Sequence, residues 1–172
     1  MKKKGLLISL AVVIAIGCLI ALYLSTLPKG QIKIDAPGVK IQIRGRLGTR
    51  TISSGGPVTA GTGLYRTQHI EIKTKQDNDN WQIESRGPWG KLEQVEVKEK
   101  QTTELTLGPP FAIKPEVNRR DSQVTIGLLI TGQADERYRN VITKNGVAVS
   151  PPKVKIVDEA GTVLASGRFE YG

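Results

Sequence analysis

An all-β body behind a single N-terminal membrane-spanning helix is the fold class this sequence predicts, on three observations. Residues 6–27, LLISLAVVIAIGCLIALYLSTL, carry no charge over 22 positions, about 33 Å as a helix and enough to cross a ~30 Å hydrocarbon core. Beyond Pro28 apolar residues recur at every second position, and no segment keeps helical spacing for more than two turns. Gly, Pro, Asn and Asp interrupt that alternation again and again, the mark of many short strands joined by tight connections.

Lys2, Lys3 and Lys4 make 1–5 a basic start that stays cytoplasmic, because an excess of Lys beside one end of a span holds that end inside. The span over 6–27 then acts as a signal anchor in the cytoplasmic membrane, and the chain from Pro28 onward is expected outside the cytoplasm, periplasmic or extracellular. A cleaved secretory signal competes for the same segment. Its apolar core is usually about 7 to 15 residues long and ends at a small-x-small site, whereas this run ends in Tyr23-Leu24-Ser25-Thr26-Leu27. Ala15-Ile16-Gly17-Cys18 resembles a bacterial lipobox with Ala15 in place of the usual Leu. The apolar LIALYLSTL that follows favours Cys18 as a small residue of a membrane helix over a lipidated one. Lys4-Gly5-Leu6 resembles a prepilin cleavage site, but Leu10 stands where such leaders place an acidic residue.

The chain has 25 Lys and Arg against 16 Asp and Glu, a net charge of +9; setting the three N-terminal lysines aside leaves +6. Acids are interspersed, as in Val95-Glu96-Val97-Lys98-Glu99-Lys100. That reads as a solvated strand face, so no nucleic acid partner is expected, and anionic head groups or wall polymers are the natural counter-charges outside the cytoplasm. No Cys follows Cys18, so the exported part forms no disulfide. The Lys-rich start and the lack of an N-x-S/T sequon fit a bacterial envelope.

Ile32 and Ile34 alternate with Lys33 and Asp35, and Ile41 and Ile43 with Lys40, Gln42 and Arg44; Ala36-Pro37-Gly38 turns between these two half-buried strands. Residues 45–63 contain Gly45, Gly48, Gly55, Gly56, Gly61 and Gly63 and read as a loop with a short strand near Thr51-Ile52. Ile70 and Ile72, then Trp81 and Ile83, form a hairpin around Gln76-Asp77-Asn78-Asp79-Asn80. After the turn Ser85-Arg86-Gly87-Pro88-Trp89-Gly90 come strands over 92–98 and 104–107. Val124, Ile126, Leu128 and Ile130 share one face of a long strand, expected to be central in its module. Asn145-Gly146 supplies a tight turn, and strands over 154–157, 163–166 and 169–171 close the chain. Pro109 and Pro110 cannot donate ladder hydrogen bonds. Gly108-Pro109-Pro110 therefore divides the exported part into two small β-sandwich-like modules, 28–109 and 110–172, with one larger sandwich as the alternative.

Val58-Thr59-Ala60-Gly61-Thr62 followed by Tyr65 resembles the L-P-A-G-x-Y corner of transthyretin-like modules, the family of carboxypeptidase-regulatory-like and Cna-B-like domains. Here Thr59 stands where Pro is usual, and Gly63 and Leu64 are inserted before the Tyr. Residues 100–107, KQTTELTL, resemble the closing strand of such a module, so the likeness covers roughly 31–109. Residues 151–161 with Phe169-Glu170-Tyr171-Gly172 are similar to the final hairpin of an immunoglobulin-like exported module. The resemblances imply that Tyr65 enters the core and that the modules serve as spacers, adhesion or assembly domains; neither family implies an enzyme.

The single His, His69, falls out of phase with Ile70 and Ile72 on the polar strand face, and no Cys in the exported part can join it in a zinc cluster or a catalytic pair. No G-x-S-x-G elbow is present, Thr62 stands where a phosphate loop requires Lys, and Asp77-Asn78-Asp79-Asn80 lacks the Gly and the distal Glu of a calcium loop. No catalytic residue, metal or cofactor is assigned. The candidate ligand or partner contacts are Arg44 and Arg46, on the face opposite Ile41 and Ile43, Arg50 and Arg66 around the Gly-rich loop, and Trp89 in its Gly-Pro-Trp-Gly turn. Arg binds carboxylate or phosphate bidentately and an exposed indole stacks on a partner or a sugar, against the competing readings of a solvated Arg face and a Trp89 folded back to cap the core. The expected function is that of a non-enzymatic binding or scaffolding module of the envelope. A carbohydrate or wall-polymer binder is the alternative, and a hydrolase built on an unrecognised carboxylate site is a third.

Overall fold

A computed structural model describes residues 13–19, 22, 26–139 and 141–169. Residues 13–19 are helical, and among the described residues no helix is long and apolar enough to cross a membrane. The span expected over 6–27 lies largely outside the described residues, and the basic start 1–5 wholly so.

The rest is mostly β, as the alternation predicts. In β1 (Lys29–Ile34) and β2 (Val39–Gly45) every second residue is buried. The two-residue turn Arg46-Leu47 leads to β3 (Gly48–Ser53) beside β2. β4 (Val58–Gly61) pairs antiparallel with β1. β5 (Gly63–Gln76) and β6 (Asp79–Ser85) are joined at Asp77 and Asn78, both at positive φ (50° and 71°), the conformation that a tight hairpin demands. A 3-10 turn at Gly90–Leu92 precedes β7 (Gln94–Val97), and β8 (Thr102–Leu105) pairs parallel to β1. The stretch 45–63 thus contains two strands where the glycines suggested mainly loop.

These strands form two sheets, one in the order β4-β1-β8 and one built on β3-β2-β5-β6 with β7 beside the start of β5. Their apolar faces meet in one cluster: Ile32, Ile34, Ala60 and Leu105 from the first, Val39, Ile41, Ile43, Ile52, Ile70, Ile72 and Ile83 from the second. Full burial of each Ile contributes about 1.5–3 kcal/mol, and five of them, Ile32, Ile41, Ile43, Ile52 and Ile70, are fully buried.

Beyond Gly108 follow β9 (Ala112–Arg120), β10 (Gln123–Thr131), β11 (Arg137–Tyr138), β12 (Thr143–Lys144), β13 (Val147–Ala148), β14 (Lys153–Val157) and β15 (Val163–Arg168). Part of this segment is tied to the first. β12 pairs with β6, and Ile130, Ala134 and Tyr138 belong to the same cluster as Ile32. At the centre of the tie is Glu136, which is fully buried. Its Oε1 accepts from the Gly108 amide at 2.6 Å and from the Tyr138 hydroxyl at 2.8 Å, and its Oε2 from the Ala134 amide at 2.8 Å. Gly132 is required beside it, since a Cβ there would lie 2.0 Å from Glu136 Oε1. Phe111 packs edge-on against Tyr138 with ring centroids 5.0 Å apart.

The two hairpins are different. β10 lies between β9 and β11, in the middle of a three-stranded sheet, yet of its apolar residues only Ile130 is buried, and Val124 is 53% exposed. Among the described residues β14 and β15 pair only with each other, and nearly every residue in them is exposed. Of the closing strand expected over 169–171, residues 170 and 171 lie outside the described residues.

Candidate functional site

Arg44 ends the outward face of β2 and stands directly opposite Arg66 on β5, with Thr49 of β3 on its other side. The alternation of Ile70 and Ile72, continued back at period two, would point Arg66 into the core. A bulge intervenes: Gln42 pairs with His69 and Ile43 with Thr67, so Gln68 is skipped, Thr67 and Tyr65 turn inward and Arg66 turns out. Arg46 is not on the face that the sequence suggested, because β2 ends at Gly45 and Arg46 occupies the turn. Arg50 pairs with Ile43 and so lies on the other face, its Nη1 3.4 Å from the Thr59 carbonyl. All four guanidinium groups are exposed, and among the described residues none of them forms an ion pair. Like charges opposite each other on neighbouring strands are unfavourable. The Arg44–Arg66 pair is therefore a place where an anion is stabilising.

Arg46 lines an open groove of about 730 Å³ with Leu27, Pro28, Leu47, Gly61, Leu64 and Tyr65. Tyr65 is its floor. The ring is 7% exposed and its hydroxyl donates to the Gly61 carbonyl at 2.8 Å. Gly45 lets β2 pass over that ring, since a Cβ there would lie 2.6 Å from it. Leu47 and Leu64, in contrast, stand 68% and 62% exposed. Lys29 is exposed at the start of β1, one residue after Pro28 of this groove. The incoming chain is pinned at both residues: the Thr62 amide of the rim donates to the Pro28 carbonyl at 3.0 Å, and the Lys100 amide, outside the groove, to the Lys29 carbonyl at 2.9 Å.

Trp89 is not displayed. It folds back to 9% exposure, with Gly87 against its ring, and its turn holds the 132–137 loop through hydrogen bonds from Lys91 N to Ala134 O (2.8 Å) and from Arg137 N to Pro88 O (2.9 Å). The half-exposed indole is Trp81, which the sequence reading placed only as a strand residue. It lines a groove of about 540 Å³ with Lys73, Lys75, Asn80, Gln82 and Asn145, and the Lys144 ammonium lies 5.5 Å from its ring centroid. Lys144 also bonds Asp79, whose carboxyl is held below its ordinary range by the hydrogen bonds from Lys144 and Asn145.

His69 is on the polar face as expected, with its Nε2 3.4 Å from Glu84 Oε2, within ion-pair range but without hydrogen-bond geometry. Glu71 faces Glu84 across β5 and β6, and both accept from the Gln82 amide, at 3.2 and 2.9 Å. These carboxylates lie on an open sheet face, and Glu136 is saturated by its three donors. Among the described residues no three His, Cys, Asp or Glu side chains are grouped to hold a metal ion. No protein-family model, curated protein or solved structure matches this chain. What the arrangement can do chemically is bind: anions at the arginine rim, and flat or polar groups at Trp81.

Proposed function

We propose that this protein is a membrane-anchored, extracytoplasmic β protein of the cell envelope, built of transthyretin-like and immunoglobulin-like modules, that binds or positions another envelope protein without catalysing a reaction. The observation that carries the reading is the pair of uncovered hairpins. Ile113, Val117 and Val124 on β9–β10 are 64%, 61% and 53% exposed, and Val157, Val163 and Leu164 on β14–β15 are 53%, 52% and 65% exposed. The β14–β15 pair has no third strand among the described residues, and an isolated two-stranded hairpin is marginal in water, so a partner that covers these apolar residues stabilises them as it binds. Anchoring is supported by the uncharged run 6–27 and by the exposure of Val13, Ile14, Ile16, Leu19 and Leu22, each above half. The buried Tyr65, bonded to Gly61, supports the transthyretin-like corner. A photocrosslinking residue at Val117 or Val163 in the full-length protein, expressed in cells, tests the reading: one or a few discrete envelope-protein adducts are expected, and a smear equal to that from Ser53 would remove it.

The Trp81 groove favours a second reading, a wall-polymer binder, because polar side chains surround a half-exposed indole there. Retention on isolated wall material would then fall in Trp81→Ala, and unchanged retention would exclude it.

A further inference from the structure

We infer that the end of the β body where the chain enters it is a membrane-contact surface, with Leu47 and Leu64 seated in the interfacial layer and Arg44, Arg46, Arg66 and Lys29 on anionic lipid head groups. The inference rests on the anchored reading above and adds to it a second, non-spanning contact with the same bilayer. Position comes first. Leu27, the last residue of the apolar run, lines the same groove as Arg46, Leu47 and Leu64. Only Pro28 separates it from β1, the Pro28 carbonyl is bonded to the Thr62 amide of the rim, and the Lys29 carbonyl is bonded to the Lys100 amide. No slack linker holds the body away, so an anchored chain brings this rim to the lipid surface.

The chemistry of the rim matches that address. Leu47 sits in the β2–β3 turn and Leu64 at the start of β5, opposite Glu96 of β7, and no described side chain covers them, at 68% and 62% exposure. Exposed apolar tips ringed by cations are what an interfacial contact uses, apolar groups below the head groups and charges among them. Among the described residues Arg44, Arg46 and Arg66 form no ion pair with a carboxylate, whereas many other cations, among them Lys33, Lys73, Lys91 and Arg137, are paired. Head-group phosphates accept bidentately from guanidinium, and each basic residue at an anionic surface strengthens the attraction about fivefold.

The test uses the full chain with Cys18→Ser and a single cysteine, Leu47→Cys, Leu64→Cys or the distant Ser166→Cys, carrying a polarity-sensitive fluorophore, in vesicles of phosphatidylcholine with or without phosphatidylglycerol. Far-UV circular dichroism confirms that each variant is folded. Blue-shifted emission and quenching by lipid-borne nitroxide are expected at 47 and 64 but not at 166. Adding Arg44→Glu, Arg46→Glu and Arg66→Glu should cut the phosphatidylglycerol-dependent quenching at least about twofold. Chains that float with the vesicles after alkaline washing while 47 and 64 stay as water-exposed as 166 overturn the surface contact and leave the anchor standing. Shielding at 47 and 64 without lipid-borne quenching points to a polymer on the rim and overturns it equally. Chains that fail to float remove the anchored reading, and this inference with it.

Discussion

The packed β body and the two outlying hairpins use the same backbone pattern for opposite ends. In the body, β2 and β5 put alternate residues into a shared core, and Ile41, Ile43 and Ile70 are fully buried. In β9–β10 the alternation meets the core only at its end, through Ile130 and the half-buried Leu128, and along β14–β15 nearly every residue is exposed, so that Val117, Val163 and Leu164 face outward. Burial supplies stability in the first case, whereas the second leaves apolar area free for another molecule. Stability and binding are therefore separable by mutation.

The largest effect is expected at Glu136, where the body reaches past Gly108. Glu136→Ala strands the Gly108 and Ala134 amides and the Tyr138 hydroxyl in a buried site, so denaturant unfolding should show a loss of about 3–5 kcal/mol. A loss below about 1 kcal/mol would mean that residues on either side of Gly108 stand independently. Next comes Ile41→Ala in the core proper, expected to lower stability by about 3 kcal/mol through lost burial and a cavity, read from the same unfolding curve.

Tyr138→Phe sharpens the comparison by pH. Burial, and then the neighbouring Glu136 carboxylate, raise the Tyr138 phenol above its ordinary value. The folded state thus keeps a proton that the unfolded chain releases near pH ~10. The contribution is whole below that pH and is lost as pH rises beyond it. Wild-type stability should fall between neutral pH and about pH 11 more steeply than that of Tyr138→Phe, whose loss at neutral pH is about 1 kcal/mol. Parallel curves would place the phenol in contact with solvent.

The smallest expected stability change is on the hairpin. Val163→Ser with Leu164→Ser should shift unfolding by less than about 0.5 kcal/mol, yet reduce crosslinking to the partner several-fold. A double variant as destabilised as Ile41→Ala would show that β14–β15 belongs to the body after all.

What was legible in the sequence follows the same division. β1, β2, β5 and β6 are half-buried, so Ile-polar alternation announces them, and residue type marks the β5–β6 turn at Asp77-Asn78 and the β12–β13 turn at Asn145-Gly146. β4 is four residues long with one buried side chain, and β9, AIKPEVNRR, is exposed throughout, so neither leaves a periodic trace. The pairing of β12 with β6 joins residues some sixty positions apart that share no local signal. At the candidate site, the grouping of Arg44 and Arg66 depends on the bulge at Gln68, which inverts the phase of β5 and has no signature in residue type. Trp89 admits two readings in the sequence, a ring displayed from its turn or one folded back over the core, and the structure has the second, with Gly87 against the ring.

The place of β1 has a mechanical consequence. It is the first strand after Pro28 and the middle strand of its sheet, bonded to β4 on one side and to β8 on the other. A pull applied through residue 28 runs along the strand axis, so the ladder bonds on both flanks are loaded in shear and resist together. A load that reaches the far end of the chain instead peels β14 from β15 at a hairpin's open end, one bond after another. Tension between residue 28 and whatever holds the β14–β15 hairpin would thus release the hairpin long before it drew β1 from its sheet.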